Sequence, residues 1–566
     1  MILAAPRERI PKQFLPKWRA CYTACVGRRP PSNGGFFVAD ENRAPMRRRD
    51  LLSLIGAAGG AATMYQAMTA LGFAAESPYK GPILLDGDPK GASVLILGAG
   101  LAGMVAAYEL RKAGYRIQVL EYNDRAGGRC WTLRGGDSYT ELGGATQNCQ
   151  FDRGLYFNAG PWRIPYHHRG LLDYCKRFGV ALEPFVHVNN NAYLHSKDAL
   201  GGKPQRYRHV EADFQGYIAE MLAKAMNRGG LETGVTREDQ EKLLQALRNW
   251  GALDRNYAYA KGPNSSERRG YAKDPGGGAS GEPEFSEPIG LGDLLKMELW
   301  REFGSRHEYD YQTTLFQPVG GMDQIARAFQ REVGSLIRFN AKVTAIKQDG
   351  GGVTAIFEDT KRPGRMQTAR ADWCLCTIPL SILSQIEVDA GAPMKEAISA
   401  VPYTPSVKMG LQFKRRFWEE DEAIYGGISF TDLPIRQLGY PSTGYHGAKG
   451  ILLAYPGGTY GFEFASLSLA ERVRRALEYG AQIHPQSMKE FETGISVAWH
   501  RVPSAFGCFA TWSDAARAQH YQNLCAIDGR LLLAGEHASY LTAWQEGAIL
   551  SSLDAIARMH RRVIAG

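Results

Sequence analysis

Beyond its first fifty residues the chain has almost no net charge. Of the formal +9, residues 1–50 carry +7, with 11 Lys and Arg against 4 Asp and Glu, while the rest balances 56 basic against 54 acidic side chains. With so neutral a body, nothing argues for nucleic acid or an anionic membrane surface as the working partner, and no nucleic acid partner is expected. Cysteine is sparse and unpatterned. The nine, at 21, 25, 130, 149, 175, 374, 376, 508 and 525, show no metal-ligand spacing, so no metal is expected. The seven past residue 78 are odd in number and follow no framework, which predicts mostly buried free thiols, with a bridge or two left open. Extremes of composition are absent too: 44% hydrophobic and 22% charged is globular. At 566 residues the chain exceeds what one core can serve, so two or three structural units are expected.

Long uncharged runs are rare, and the longest is near the start. Arginines at 47, 48 and 49 precede 25 residues without charge, Leu51 to Ala75, rich in Ala and Gly and closing on small residues before Glu76. Basic, apolar and small-residue parts in that order make an export signal, and the arginine cluster before Asp-Leu-Leu resembles a twin-arginine signal. A transmembrane anchor or a buried helix are the other readings. Upstream the chain is Pro/Arg-rich without periodicity, and Met46 is a candidate true start. Residues 1–78 are therefore set apart as leader and signal, with an exported location and no stable membrane insertion after processing.

The most informative stretch runs from Ser93 to Thr132. Val94 to Leu97 is a short apolar run of the kind that forms a buried parallel strand. Gly98, Gly100 and Gly103 follow in GxGxxG spacing, and an Ala-rich helix opens at Leu101 and Ala102 with amides free to hold an anion. Gly114 ends that helix, and a second strand, Arg116 to Leu120, delivers Glu121 where a carboxylate accepts the hydroxyls of an adenosine ribose. This pattern reads as a dinucleotide site, against an ordinary tight turn. Directly afterwards, Arg125-Ala126-Gly127-Gly128-Arg129 can lay backbone and guanidinium on the same pyrophosphate.

That continuation is similar to the GGR motif of two-domain flavoproteins of the flavin amine oxidase family. Further matches follow: Glu141-Leu142-Gly143-Gly144, Gly320-Gly321-Met322-Asp323, and Leu532-Leu533-Ala534-Gly535-Glu536 before Ala543-Trp544-Gln545-Glu546-Gly547-Ala548. Asn158-Ala159-Gly160-Pro161-Trp162-Arg163-Ile164-Pro165 resembles the GPMRxP segment of the L-amino acid oxidase branch, with Trp162 where Met is usual.

The resemblance implies a mixed α/β fold: a Rossmann-like FAD-binding domain, a mixed-sheet substrate domain and a helical subdomain. The domains are expected at 79–150, 316–400 and 504–566 for FAD, at 151–205 and 401–503 for substrate, and at 206–315 for the helices. It assigns FAD to Gly98, Gly100, Leu101, Ala102, Gly103, Glu121, Gly128, Arg129, Gly160, Pro161, Trp162, Arg163, Val343, Glu536, Ala543, Trp544, Gln545, Gly547 and Ala548. No Cys occurs in the closing 543–548 motif, so the flavin is expected without a covalent bond.

For substrate, the resemblance places Arg163 and Tyr440 on an α-carboxylate, Trp544 as a pocket wall, and Lys408 within a water of flavin N5. The chemistry agrees with these residue types. A guanidinium can grip a carboxylate through two parallel hydrogen bonds, and an internal lysine such as Lys408, in the apolar strand around VKMGLQF, changes its proton affinity when desolvated. A structural arginine, a surface lysine, a core tyrosine and a core tryptophan are the respective alternatives. The activity implied is oxidation of L-amino acids by O2 to 2-oxo acids, ammonia and hydrogen peroxide, by a homodimer. A decarboxylating monooxygenase, a monoamine or polyamine oxidase, and a flavin module without turnover are the alternatives.

Two further expectations concern architecture. Phe214, Tyr217, Ile218, Met221, Leu222 and Ala225 have helical spacing that stops at Gly229-Gly230, and a second helix capped by Thr236 carries Leu243, Leu244, Leu247 and Trp250. The Gly/Pro/Ser-rich run from Lys261 to Pro288 reads as a long surface loop.

Overall fold

A strand of apolar residues buries both faces only when both sides of its sheet are covered. In the computed structural model, which describes residues 79–228, 236–303 and 307–565, the strand Ser93–Leu97 is in that position: Leu95 and Ile96 are fully buried, each contributing about 1.5–3 kcal/mol. It pairs in parallel with Arg116–Leu120 on one side and Trp373–Cys376 on the other. The five-stranded parallel sheet is completed by Ile337–Arg338 beyond Arg116–Leu120 and by Leu531–Leu533 beyond Trp373–Cys376. Three distant segments thus converge on one βαβ unit. The leader and signal, and the Gly229-Gly230 helix stop, lie outside the described residues.

The helix Leu101–Lys112 packs on this sheet and against the closing helix Gln545–Ala565, whose Ser552 hydroxyl donates to the Ala102 carbonyl at 2.7 Å. Gly103 makes the close approach possible, since a Cβ there would lie 2.0 Å from the Gly98 oxygen. Ala341–Asp349 and Gly352–Asp359 form an antiparallel pair across the Asp349–Gly352 turn, within a second sheet of four strands.

A seven-stranded mixed sheet runs in the order Gln205–Arg206, Tyr193–His195, Gly427–Thr431, Gln437–Tyr440, Gly450–Ala454, Val407–Phe413, Phe491–Ala498. Strand alternation gives it two faces. Val407, Met409, Leu411 and Phe413 join Leu438, Tyr440, Leu452 and Ala454 in one apolar cluster. The alternate positions, Lys408, Gly410, Gln437, Gly439, Leu453 and Tyr455, belong to the opposite face, where Trp162 crosses Gly439 at a distance no side chain there would permit.

The helical region departs from the sequence reading in two ways. Tyr207–Asn227 buries Val210, Asp213, Gly216, Ala219, Ala223 and Met226, while Met221 and Leu222 are exposed. Small residues win that face because Tyr259 lies across it, with its ring 2.2 Å from where a Cβ on Gly216 would stand, and its hydroxyl donates to Asp213 at 2.6 Å. The following helix, Arg237–Trp250, has the Thr236–Asp239 capping box. Its Leu244 and Leu247 pack inward, but Leu243 and Trp250 are exposed. The run from Lys261 to Pro288 is also more than a loop. Pro263 opens a helix to Arg269, whose guanidinium reaches the fully buried Asp213 at 2.8 Å, and the backbones of Lys273 and Glu284 pair in antiparallel fashion. One buried ion pair thus anchors what composition alone reads as slack chain.

All seven described cysteines are free thiols, and five are buried. Among the described residues, no helix is long and apolar enough to cross a membrane.

Candidate active site

A cavity of about 710 Å³ begins at the glycine turn and runs to the inner face of the seven-stranded sheet. Gly98, Gly100, Leu101, Ala102, Glu121, Gly128, Arg129, Gly160, Pro161, Trp162, Arg163, Val343, Lys408, Glu536, Ala543, Trp544, Gln545 and Ala548 all line it. Residues drawn from six stretches of sequence thus share one wall system. Three predicted residues do not line it. Gly103 and Gly547 are close-packing positions: a Cβ on Gly547 would stand 2.1 Å from the Leu541 oxygen.

Tyr440 is the correction. It sits on the apolar face of its strand, 3% exposed, with its hydroxyl committed to Ser429 Oγ and His484 Nε2, both at 2.6 Å. Its place in the cavity is taken by Gln437, three residues earlier and on the opposite face, and by Tyr455 from the neighbouring strand. Period-two alternation with Leu438 was the signal that separates these faces.

The turn end of the cavity suits a dinucleotide. Helix Leu101–Lys112 has no side-chain cap at Gly100 and no acid in its first turn, so its leading amides are left for an anion. A Cβ on Gly100 would meet nothing within 4 Å, because that position opens onto the cavity. Glu121 accepts from the Ala99 amide at 2.6 Å and from the Asn123 side chain at 2.6 Å, which fixes the carboxylate beside the turn. Arg129 donates to Glu536 at 2.7 Å and to the Cys508 carbonyl at 2.9 Å. Glu536 accepts in turn from the Ala510 and Ala543 amides, each at 3.1 Å. The cradle of bare amides, open glycines and a fixed carboxylate fits the pyrophosphate and ribose of FAD.

The far end is aromatic. Trp162, Tyr311, Tyr455 and Trp544 line it with Arg163, Lys408 and Gln437. The Arg163 guanidinium lies 4.4 Å over the Tyr311 ring and 5.4 Å over Trp162. Its Nε and Nη1 are buried without a hydrogen-bond partner among the described residues. A buried charged donor left unmet costs on the order of 1–3 kcal/mol or more, so the site is built to receive an acceptor. Behind Tyr311 the His187 ring stacks at 4.7 Å, and burial, then the Arg163 charge, hold that imidazole neutral.

Lys408 is 5% exposed, donates to the Gly160 carbonyl, and lies 4.9 Å over Trp162 and 5.2 Å over Tyr455. Desolvation, reinforced by the Arg163 charge, brings its pKa down to about 7. An amine so tuned can hold or release a proton near neutral pH. Tyr311, Gln437, Tyr455 and Cys508 are lining residues that sequence reading missed. Tyr311 stands in a stretch without periodicity, and Tyr455 alternates with Ile451 and Leu453 just past its strand.

The model of a family described as flavin containing amine oxidoreductase matches residues 101–560. A Bacillus subtilis (strain 168) protein provisionally named L-amino-acid oxidase YobN is 29% identical over 83% of this chain and 94% of its own length. The L-amino-acid oxidase of Siganus canaliculatus is 28% identical over 83% of this chain and 86% of its own. Among solved structures, cyclohexylamine oxidase from Brevibacterium oxydans IH-35A superposes with a TM-score of 0.55 at 16% identity, over 83% of this chain and 99% of that one. That likeness carries the fold, the two-domain arrangement with a parallel dinucleotide-binding sheet and a mixed sheet.

Proposed function

The chain belongs to the flavin containing amine oxidoreductases, and from that premise we propose that it oxidises L-α-amino acids with O2 to 2-oxo acids, ammonia and hydrogen peroxide. The observation that carries the reading is Arg163, whose buried Nε and Nη1 find no acceptor among the described residues. An α-carboxylate supplies two oxygens in the fork geometry that a guanidinium matches, whereas a simple amine would leave the charge unmet. The flavin, when bound, supplies the two-electron acceptor.

The chain's own groups do the rest. Arg163 fixes the carboxylate, so that one face of Cα is turned consistently inward, and positioning of this kind supplies much of the rate. Trp162, Tyr311, Tyr455 and Trp544 exclude water and offer ring faces to the substrate side chain. Lys408, with its pKa near 7, exchanges a proton at Nζ close to the same walls. Gln437 is the polar group that replaces the expected Tyr440 contact. Export through a twin-arginine-type signal, a homodimer, non-covalent flavin and the domain boundaries given above belong to the same proposal.

The test is peroxide release in air from the flavin-loaded protein, across the L-amino acids and their decarboxylated amines. Peroxide and 2-oxo acid from the acids, with amines poor, supports the proposal. Amide products, or amines turned over as well as acids, would overturn it.

A further inference from the structure

Next to the aromatic end lies a polar cluster that the proposed chemistry does not use. His167 and His168 follow Arg163 on the same segment, and Asp310 comes from the Tyr309–Tyr311 turn. All three are buried, with His167 at 3% and His168 at 1% exposure, and one ligand atom from each lies within 4.8 Å of the others. His167 Nε2 stands 2.9 Å from Asp310 Oδ1 and His168 Nε2 stands 4.0 Å from the same oxygen. These separations straddle the roughly 3.3 Å between neighbouring ligands in a tetrahedral shell with bonds of ~2.0–2.1 Å.

The 4.0 Å gap is too long for a hydrogen bond, and His168 Nε2 has no hydrogen-bond partner among the described residues. Two imidazole nitrogens and one carboxylate suit a borderline cation. One oxygen among three donors is too few for calcium or magnesium, which take mostly oxygen. Such a site keeps its fourth position for water.

We infer that His167, His168 and Asp310 form a zinc-class divalent metal site beside the substrate cavity. A bound ion ties the Tyr309–Tyr311 turn to the segment carrying Arg163. It thereby fixes two cavity walls at once: Tyr311, which lies under Arg163, and Trp544, whose ring contacts His168 at 5.0 Å and Tyr311 at 6.0 Å. The role is positional, and the metal takes no electrons.

Chelator-treated flavoprotein is titrated with Zn2+ and desalted, and its metal content is measured beside Asp310→Asn and His167→Gln. About one zinc per chain in wild type, lost in both variants while flavin content and circular dichroism are kept, is expected. No zinc in wild type, or the same zinc in the variants, overturns the inference. Should either variant misfold, Co2+ added to wild type decides. Tetrahedral absorption bands beyond the flavin spectrum are expected, and the spectrum of free aqueous cobalt would contradict the site. None of these readouts depends on amino acid turnover.

Discussion

The two ends of one cavity each hold an arginine, and the protein treats them oppositely. Arg129, at the turn end, is paired with Glu536 at 2.7 Å and capped by the Cys508 carbonyl. Arg163, at the aromatic end, is given ring faces, and its Nε and Nη1 have no acceptor among the described residues. Charge is neutralised by the fold where a cofactor must stay. It is left open at the aromatic end, where, on the function proposed above, the anion that completes Arg163 is the substrate's carboxylate.

Breaking the paired end has the largest expected effect. Glu536→Ala leaves Arg129 unmatched and frees the Ala510 and Ala543 amides. The loss is about 3–5 kcal/mol of stability by analogy with broken buried pairs, with weakened flavin retention. Chemical denaturation and the flavin content after gel filtration measure both.

Breaking the open end leaves the fold intact and removes the acid preference. Arg163→Ala deletes two charge-assisted hydrogen bonds, each worth about 1.5–3 kcal/mol, so kcat/KM for L-amino acids falls about 10²- to 10⁴-fold. Steady-state peroxide assays check this, and the matching amines are expected to change little.

Lys408 sharpens the contrast through pH. Its folded pKa of about 7 lies below the ordinary 10.5, so between those values the unfolded chain binds more protons than the folded one. Stability therefore rises with pH from about 7 to 10.5. Lys408→Met removes that rise, as denaturant midpoints measured across the window show. The smallest effect belongs to the rejected contact. Tyr440→Phe costs about 1 kcal/mol of stability from lost hydrogen bonds and leaves KM unchanged, whereas Gln437→Ala raises KM.

Legibility in the sequence followed the same division. The strand, glycine turn, helix and acid from Ser93 to Glu121 are local in sequence, and each feature has one structural use. The segments that complete the sheet at Trp373–Cys376 and Leu531–Leu533 are themselves short apolar runs. At the aromatic end the walls come from loops and from alternate positions of strands, so Tyr311 left no periodic trace, and the resemblance put Tyr440 in the cavity although it lies on the other face of a strand buried on both sides. The 207–250 helices misled for a related reason: Gly216 and Ala219 make the buried face because Tyr259 fills it, and a hydrophobicity stripe cannot register a face built from small residues.

The open arginine is tested most directly by binding without turnover. Perturbation of the flavin absorbance by a non-reacting carboxylate, benzoate, is titrated in wild type, Arg163→Lys and Arg163→Ala. Tight binding in wild type, weaker in the lysine variant and about a hundredfold weaker in the alanine variant, is expected for loss of a bidentate grip. Equal affinity in all three would show that the anion is held elsewhere and that Arg163 serves only the fold.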